Sequence, residues 1–143
     1  MQPSHVLVAM DGSPLAEKAL KYTLGTFDCQ VTVLTVITPL DSPLSEGGVL
    51  ESDTGRIREA EERAEQLIES AKAQVETADH RIETVIEVGD PAEAILEHVE
   101  THDIDQVVMG GHGGSEGRLA RRLLGTVTTA VIGDASVTVT VVQ

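Results

Sequence analysis

The sequence predicts a single α/β domain over residues 1–143, a doubly wound five-stranded parallel sheet with helices on both faces. Three observations carry this. Short runs rich in Val, Ile and Leu alternate with segments whose apolar residues recur at helical spacing. The chain holds one Phe, one Tyr and no Trp although 41% of it is hydrophobic, so the core must be built from Val, Leu, Ile and Ala, as in strands buried on both faces. Two of the runs end in turn-and-cap clusters, Asp11-Gly12-Ser13-Pro14 and Gly89-Asp90-Pro91, that start the next helix.

His5–Met10 (HVLVAM) is the first strand, and Pro14 fits the first turn of the helix after it. Ala16, Ala19, Leu20, Thr23 and Leu24 form that helix's apolar stripe. Val31–Ile37 (VTVLTVI) is a strand by its β-branched residues. Pro39–Thr54 is rich in Pro, Gly, Ser and Asp and reads as a long, lid-like loop. A helix over about Gly55–Ala78 follows, with Ile57, Ala60, Ala64, Leu67, Ile68, Ala71 and Val75 on one face. Its Glu- and Arg-rich face reads as solvated surface.

Arg81–Val88 alternates as a strand with one polar face, and Asp90 and Pro91 supply the N-cap and first residue of a helix to about His102. That helix buries Ala94, Ile95 and Val99. Asp105–Met109 is a fourth strand, then a glycine-rich loop leads into a helix to about Gly133, and Val137–Val142 (VTVTVV) is the fifth strand. Right-handed crossovers make such a βαβαβαβαβ order a parallel sheet.

Ten basic residues against twenty-four acidic ones give a net charge of −14, which repels phosphate backbones and anionic lipid and argues against nucleic-acid or membrane binding. Only Lys18, Lys21 and Lys72 are lysines, and an acidic, lysine-poor surface suits a salt-rich cytoplasm that screens its self-repulsion. Cys29 is the only cysteine, which excludes an internal disulfide and reads as a small core residue. With no leader-like segment and no apolar run near membrane-spanning length, the expectation is a cytoplasmic, soluble protein.

Met109–Thr126 (MGGHGGSEGRLARRLLGT) holds the main functional signal. Glycines between a strand and a helix let backbone N–H groups converge on one concavity, and the helix N-terminus adds partial positive charge, so the segment suits a phosphate. The alternative is a tight connection that merely needs glycine. It is not the P-loop pattern, because no Gly-Lys-Ser/Thr follows, and the first strand lacks the dinucleotide fingerprint. In a doubly wound sheet, ligands sit at the carboxyl ends of strands where the winding reverses. If the first and fourth strands flank that point, Asp11 and Gly110–Gly114 meet at one crevice.

Several segments resemble the universal stress protein family along essentially the whole chain: VLVAMDGSPLAEKAL, VTVLTVI, GDPAEAILEHVE, DQVVMGGHGG and LLGTVTTAVIGDASVTVTVV. The resemblance implies a Rossmann-like, adenine nucleotide alpha hydrolase-like fold. The family's nucleotide-binding branch carries G-x2-G-x9-G-(S/T); here Gly110-Gly111-His112-Gly113 resembles the first half and Gly125-Thr126 the second. Eleven residues, Gly114–Leu124, stand between Gly113 and Gly125 where that pattern has nine, which enlarges the loop around Gly114–Gly117.

By this resemblance Asp11 would contact the ribose or, through Mg²⁺, the phosphates; capping the first helix is its alternative role. Ala9 and Val36 would line the adenine site, or else serve only as core. Met109 and Gly110 would pass under the ribose. Gly113, Gly125 and Thr126 would hold the phosphates, with Val127 adding a backbone contact. Gly125-Thr126 must also break the Arg118–Gly133 helical pattern, and such a break exposes N–H donors. Arg118, Arg121 and Arg122 either screen a triphosphate or lie on a solvated face, and His112 is an exposed loop residue. His5, His80, His98 and His102 form no metal-ligand pattern with Cys29.

The implied function is binding of ATP, AMP or ADP by a stress-response regulatory or sensing module. The alternatives are an interaction scaffold without nucleotide, or a slow ATPase. Efficient phosphoryl transfer is disfavoured, because no lysine lies near the glycine loop and no second carboxylate has a place in the site. Val137–Val142 carries no charge and would be an unguarded edge, so a homodimer through this strand is expected, as the family resemblance also implies.

Overall fold

The computed structural model describes residues 3–10, 14–37, 49–74, 81–111 and 125–143. Asp11, His112, Gly113, the Arg118–Arg122 cluster, residues 38–48 and residues 75–80 lie outside them. The elements run β1 (His5–Met10), α1 (Pro14–Thr26), β2 (Gln30–Ile37), α2 (Val49–Gln74), β3 (Ile82–Val88), α3 (Pro91–Thr101), β4 (Gln106–Gly110), α4 (Thr126–Asp134) and β5 (Thr138–Val142). The five strands form one sheet in the order β3-β2-β1-β4-β5, and every neighbouring pair is parallel. The winding therefore reverses between β1 and β4, which meets the condition on which Asp11 and the glycine loop share one end of the sheet.

Alternation along the strands divides the core in two. Val6, Val8, Met10, Val31, Val33 and Val108 pack with Ala16, Ala19, Leu20 and Leu24 of α1 and Ile68 and Ala71 of α2. On the other face Leu7, Leu34, Val107 and Met109 pack with Ile95 and Val99 of α3 and Val131 of α4. Val6, Leu7 and Val8 are all completely buried, as a central parallel strand requires. Cys29 packs at the margin of the first cluster, where burial pushes its thiol pKa up.

Local chemistry sets most boundaries as expected. Asp90 caps α3 by accepting the Glu93 N–H at 3.0 Å, with Pro91 at the first helical position. One boundary differs. The lid-like loop was expected to reach Thr54, but α2 already begins at Val49. Ser52, Asp53 and Thr54 compete with helix locally and so read as loop, yet here they continue the helix. The expected helical residues past Gln74 lie outside the described set.

The opposite end of the sheet is tied by Asp105. Its Oδ2 accepts the Ser4 N–H at 2.9 Å, the Ser4 hydroxyl at 2.6 Å and the His5 N–H at 3.0 Å. The Asp105 N–H in turn donates to the His5 carbonyl at 2.9 Å, so the starts of β1 and β4 are locked together.

Candidate functional site

The carboxyl ends of β1 and β4 separate. β1 stays paired with β2 out to Met10↔Thr35, and β4 with β5 out to Gly110↔Val142. Among the described residues, however, the β1–β4 ladder runs only from Val6↔Gln106 to Val8↔Val108. The last two residues of each central strand carry no β1–β4 ladder, and this is the point where the winding reverses and such sheets take ligands. The lock at Asp105 closes the same pair of strands at the other end.

Four of the residues expected to bind a ligand share one core cluster. Met109 is buried in the α3/α4 core cluster, and Ala9, Val36 and Val127 pack half-buried against it. Val36 lies beside Glu87 of β3 in the sheet register. These side chains are apolar, and all but Met109 are partly exposed. Gly110 packs against α1. Its missing side chain faces α1, where a Cβ would stand 2.8 Å from Leu15 Cβ and 3.0 Å from the Leu15 carbonyl carbon. Gly110 is required by the approach of α1, a packing role that the motif spacing did not reveal.

The loop downstream of β4 is closed at its base. The Gly111 N–H donates to the Val142 carbonyl at 3.0 Å, and the Gly125 N–H donates to the Gly111 carbonyl at 2.7 Å. Gly125, expected to offer its N–H to phosphate, therefore has that donor engaged. It stands as the extended N-cap of α4 (φ −64°, ψ 159°) and makes no side-chain cap hydrogen bond. α4 begins at Thr126, the point where the helical pattern was expected to break, and Thr126 is exposed as the first helical residue; residues 118–124 lie outside the described residues. Geometry denies the first N–H groups of α4 an intrahelical acceptor, and no acidic residue lies in its first turn to offset the helix dipole. The arrangement can accept an anion at this end of the sheet.

Thr128 was missed by sequence reasoning. Its side chain is buried and its hydroxyl donates to the Gly110 carbonyl at 2.9 Å, joining α4 to the end of β4. Nothing in the run Thr126-Val127-Thr128-Thr129 distinguishes it; only its burial does. A separate small cavity of about 40 Å³, lined by Met10, Thr35, Ala60, Arg63, Ala64 and Leu67, lies on the α1/α2 face. It is far smaller than a ligand pocket of ~300–1,000 Å³ and is not the candidate site. Asp11, the one expected metal contact, lies outside the described residues. Among the described residues no group of three or more His, Cys, Asp or Glu side chains could hold a metal ion.

The sequence matches the universal stress protein family model over residues 3–143. The chain belongs to this family. Over 82 residues this universal stress protein is 34% identical to Universal stress protein MJ0577 of Methanocaldococcus jannaschii; the match covers 57% of the chain and 49% of that protein, about half its length. A solved structure of MJ0577 superimposes with a TM-score of 0.72 at 28% identity, covering 99% of this chain and 96% of the other. A universal stress protein in complex with cAMP gives a TM-score of 0.69 at 23% identity over 100% and 99% of the two chains. A family protein from Arabidopsis thaliana with AMP bound gives 0.62 at 22% over 98% and 91%. At the last two identities the likeness is one of fold. Among the described residues no helix is long and apolar enough to cross a membrane.

Proposed function

We propose that this universal stress protein binds an adenine nucleotide in the crevice between β1 and β4 and acts as a regulatory or sensing module in a stress response. The observation that carries the proposal is the early end of the β1–β4 ladder beside an α4 N-terminus without a side-chain cap. Partly exposed apolar side chains and an anion-accepting helix end are the two complementary halves a nucleotide needs. The cAMP and AMP found in two relatives of this fold support the ligand class.

In this reading Val36 and Ala9 lie against the adenine, Met109 and Gly110 run beneath the ribose, and Gly113, Thr126 and Val127 meet the phosphates. Gly125 acts by ending the loop and starting α4. Asp11 is positioned by the sequence at the end of β1 and would meet the ribose, or the phosphates through Mg²⁺ if ATP is the nucleotide. Occupancy would order the connections around the crevice and alter what a partner contacts. A second copy is the proposed partner: β5 is an edge strand of the sheet, Val139 to Val142 are half-buried, and none of its own side chains is charged.

Isothermal titration of the purified chain with ATP, ADP and AMP, with and without Mg²⁺ and in high salt, tests the proposal. Saturable binding of at least one nucleotide is expected. A flat titration, together with no nucleotide mass released when the purified protein is denatured, would remove it.

A further inference from the structure

Three helical threonines dispose of their hydroxyl protons in two ways. Thr23 donates to the Ala19 carbonyl and Thr101 to the Glu97 carbonyl, each at 2.9 Å and each four residues back in its own helix. This is the usual local solution for a helical threonine. Thr128 instead reaches across to Gly110 at the end of β4, also at 2.9 Å. With 3% of its surface exposed it has no recourse to water, and a buried hydroxyl without an acceptor is costly.

Gly110 is itself immobilised. α1 is pressed against its α-carbon side, and the next residue, Gly111, is bonded to Val142 on one side and Gly125 on the other. The Thr128 hydroxyl therefore anchors the first turn of α4 to a braced peptide. The first two residues of that turn, Thr126 and Val127, carry N–H groups with no intrahelical acceptor. They stand only about 1.5–3 Å along the helix axis from Thr128.

We infer that Thr128 is a positioning residue of the proposed nucleotide site, setting where the α4 N-terminal donors stand relative to the end of β4 and so governing affinity for the phosphates. The inference rests on the nucleotide-binding reading above. The adenine lies on Ala9 and Val36, which Thr128 does not touch, and the Gly110 peptide beneath the ribose is braced by α1 and through Gly111 without Thr128, so the phosphates depend on the Thr128 hydroxyl far more than the nucleoside does.

The test compares ATP and adenosine, titrated calorimetrically against wild type, Thr128→Val and Thr128→Ser, with melting temperatures recorded for each. Thr128→Val should weaken ATP by about tenfold while adenosine changes by less than about twofold. Thr128→Ser, which keeps the hydroxyl, should restore the ATP-to-adenosine ratio. Equal weakening of both ligands, or of neither, overturns the inference and leaves nucleotide binding intact. If the wild type binds ADP or AMP but not ATP, the same ratio to adenosine is read with that nucleotide; absence of binding of all three overturns the reading and the inference together. If Thr128→Val does not fold, the same ratio is measured on Thr128→Ala; if neither folds, Thr128 serves the fold itself and the inference is overturned.

Discussion

Replacing Gly110 with alanine is the sharpest test of how β4 meets α1. The new Cβ would lie 2.8 Å from Leu15 Cβ, 3.0 Å from the Leu15 carbonyl carbon and 3.2 Å from the Ala16 nitrogen. Two of these three are backbone atoms in the first turn of α1, and the third is fixed to that backbone, so no rotamer change relieves the overlap. Forcing a methyl into a packed interior costs about 1–3 kcal/mol. Against it stands the entropic gain of replacing glycine, about 0.5–1 kcal/mol. The net is a loss of about 1–2 kcal/mol, or roughly 3–8 °C in Tm for a chain of this size.

Gly55 supplies the control. It lies within α2, where an added Cβ meets nothing within 4 Å, so Gly55→Ala should gain about 0.5–1 kcal/mol. Urea and thermal unfolding of both variants in one buffer should therefore give opposite signs. Gly110→Ala melting at or above wild type would show that α1 does not press on β4, and the bracing argued for Thr128 would lose one of its supports.

Four further outcomes are expected. Asp105→Ala should cost about 1–2 kcal/mol by removing the acceptor that ties β1 to β4. The hydrogen bonds from Ser4 hold that carboxyl below its ordinary 3.8, so its contribution is present above that pH and lost as pH falls through the folded value; unchanged acid unfolding in the variant would refute this. His98 has the opposite chemistry: burial first, then His102 stacked at 3.7 Å, depress its pKa below 6.5, although Glu87 and Glu83 oppose the shift. The unfolded chain then binds the proton more readily, so stability should decline as pH drops from 6.5 toward the folded value, and His98→Leu should flatten that segment of a stability–pH curve. Val139→Lys should give a monomer or an insoluble chain by light scattering, and a soluble dimer would place the proposed interface elsewhere. With a net charge of −14, the protein should melt at a higher temperature in multimolar KCl than in dilute buffer, and equal Tm values would end the halophilic reading.

Much of the fold was legible because its causes are local. The β-branched run of β2, the Asp90-Pro91 start of α3 and the Ala16 to Leu24 stripe of α1 each state their own structure within a few residues. The start of α2 was not legible, since Ser52, Asp53 and Thr54 have the local preferences of a loop and are overruled by the helix around them. At the site, Ala9, Val36, Met109 and Val127 were assigned to a ligand through family resemblance; the structure packs them in one core cluster, which is the alternative role given for Ala9 and Val36. That resemblance gave Gly110 and Gly125 ligand-facing roles, whereas the structure engages one with α1 and the N–H of the other with Gly111.

The sequence alone determined the order of strands and helices, an aromatic-poor aliphatic core and the acidic composition. Tertiary structure alone decided that β1 and β4 part after Val8↔Val108, that Gly110 faces a helix nearly a hundred residues earlier in the chain, and that Thr128 spends its proton on a strand. The division has a physical basis. Periodicity, capping and turn chemistry act between near neighbours and are written in a short window. A close approach or a buried hydrogen bond between distant segments exists only after packing brings them together, and nothing local to Gly110 or Thr128 encodes the partner it will meet.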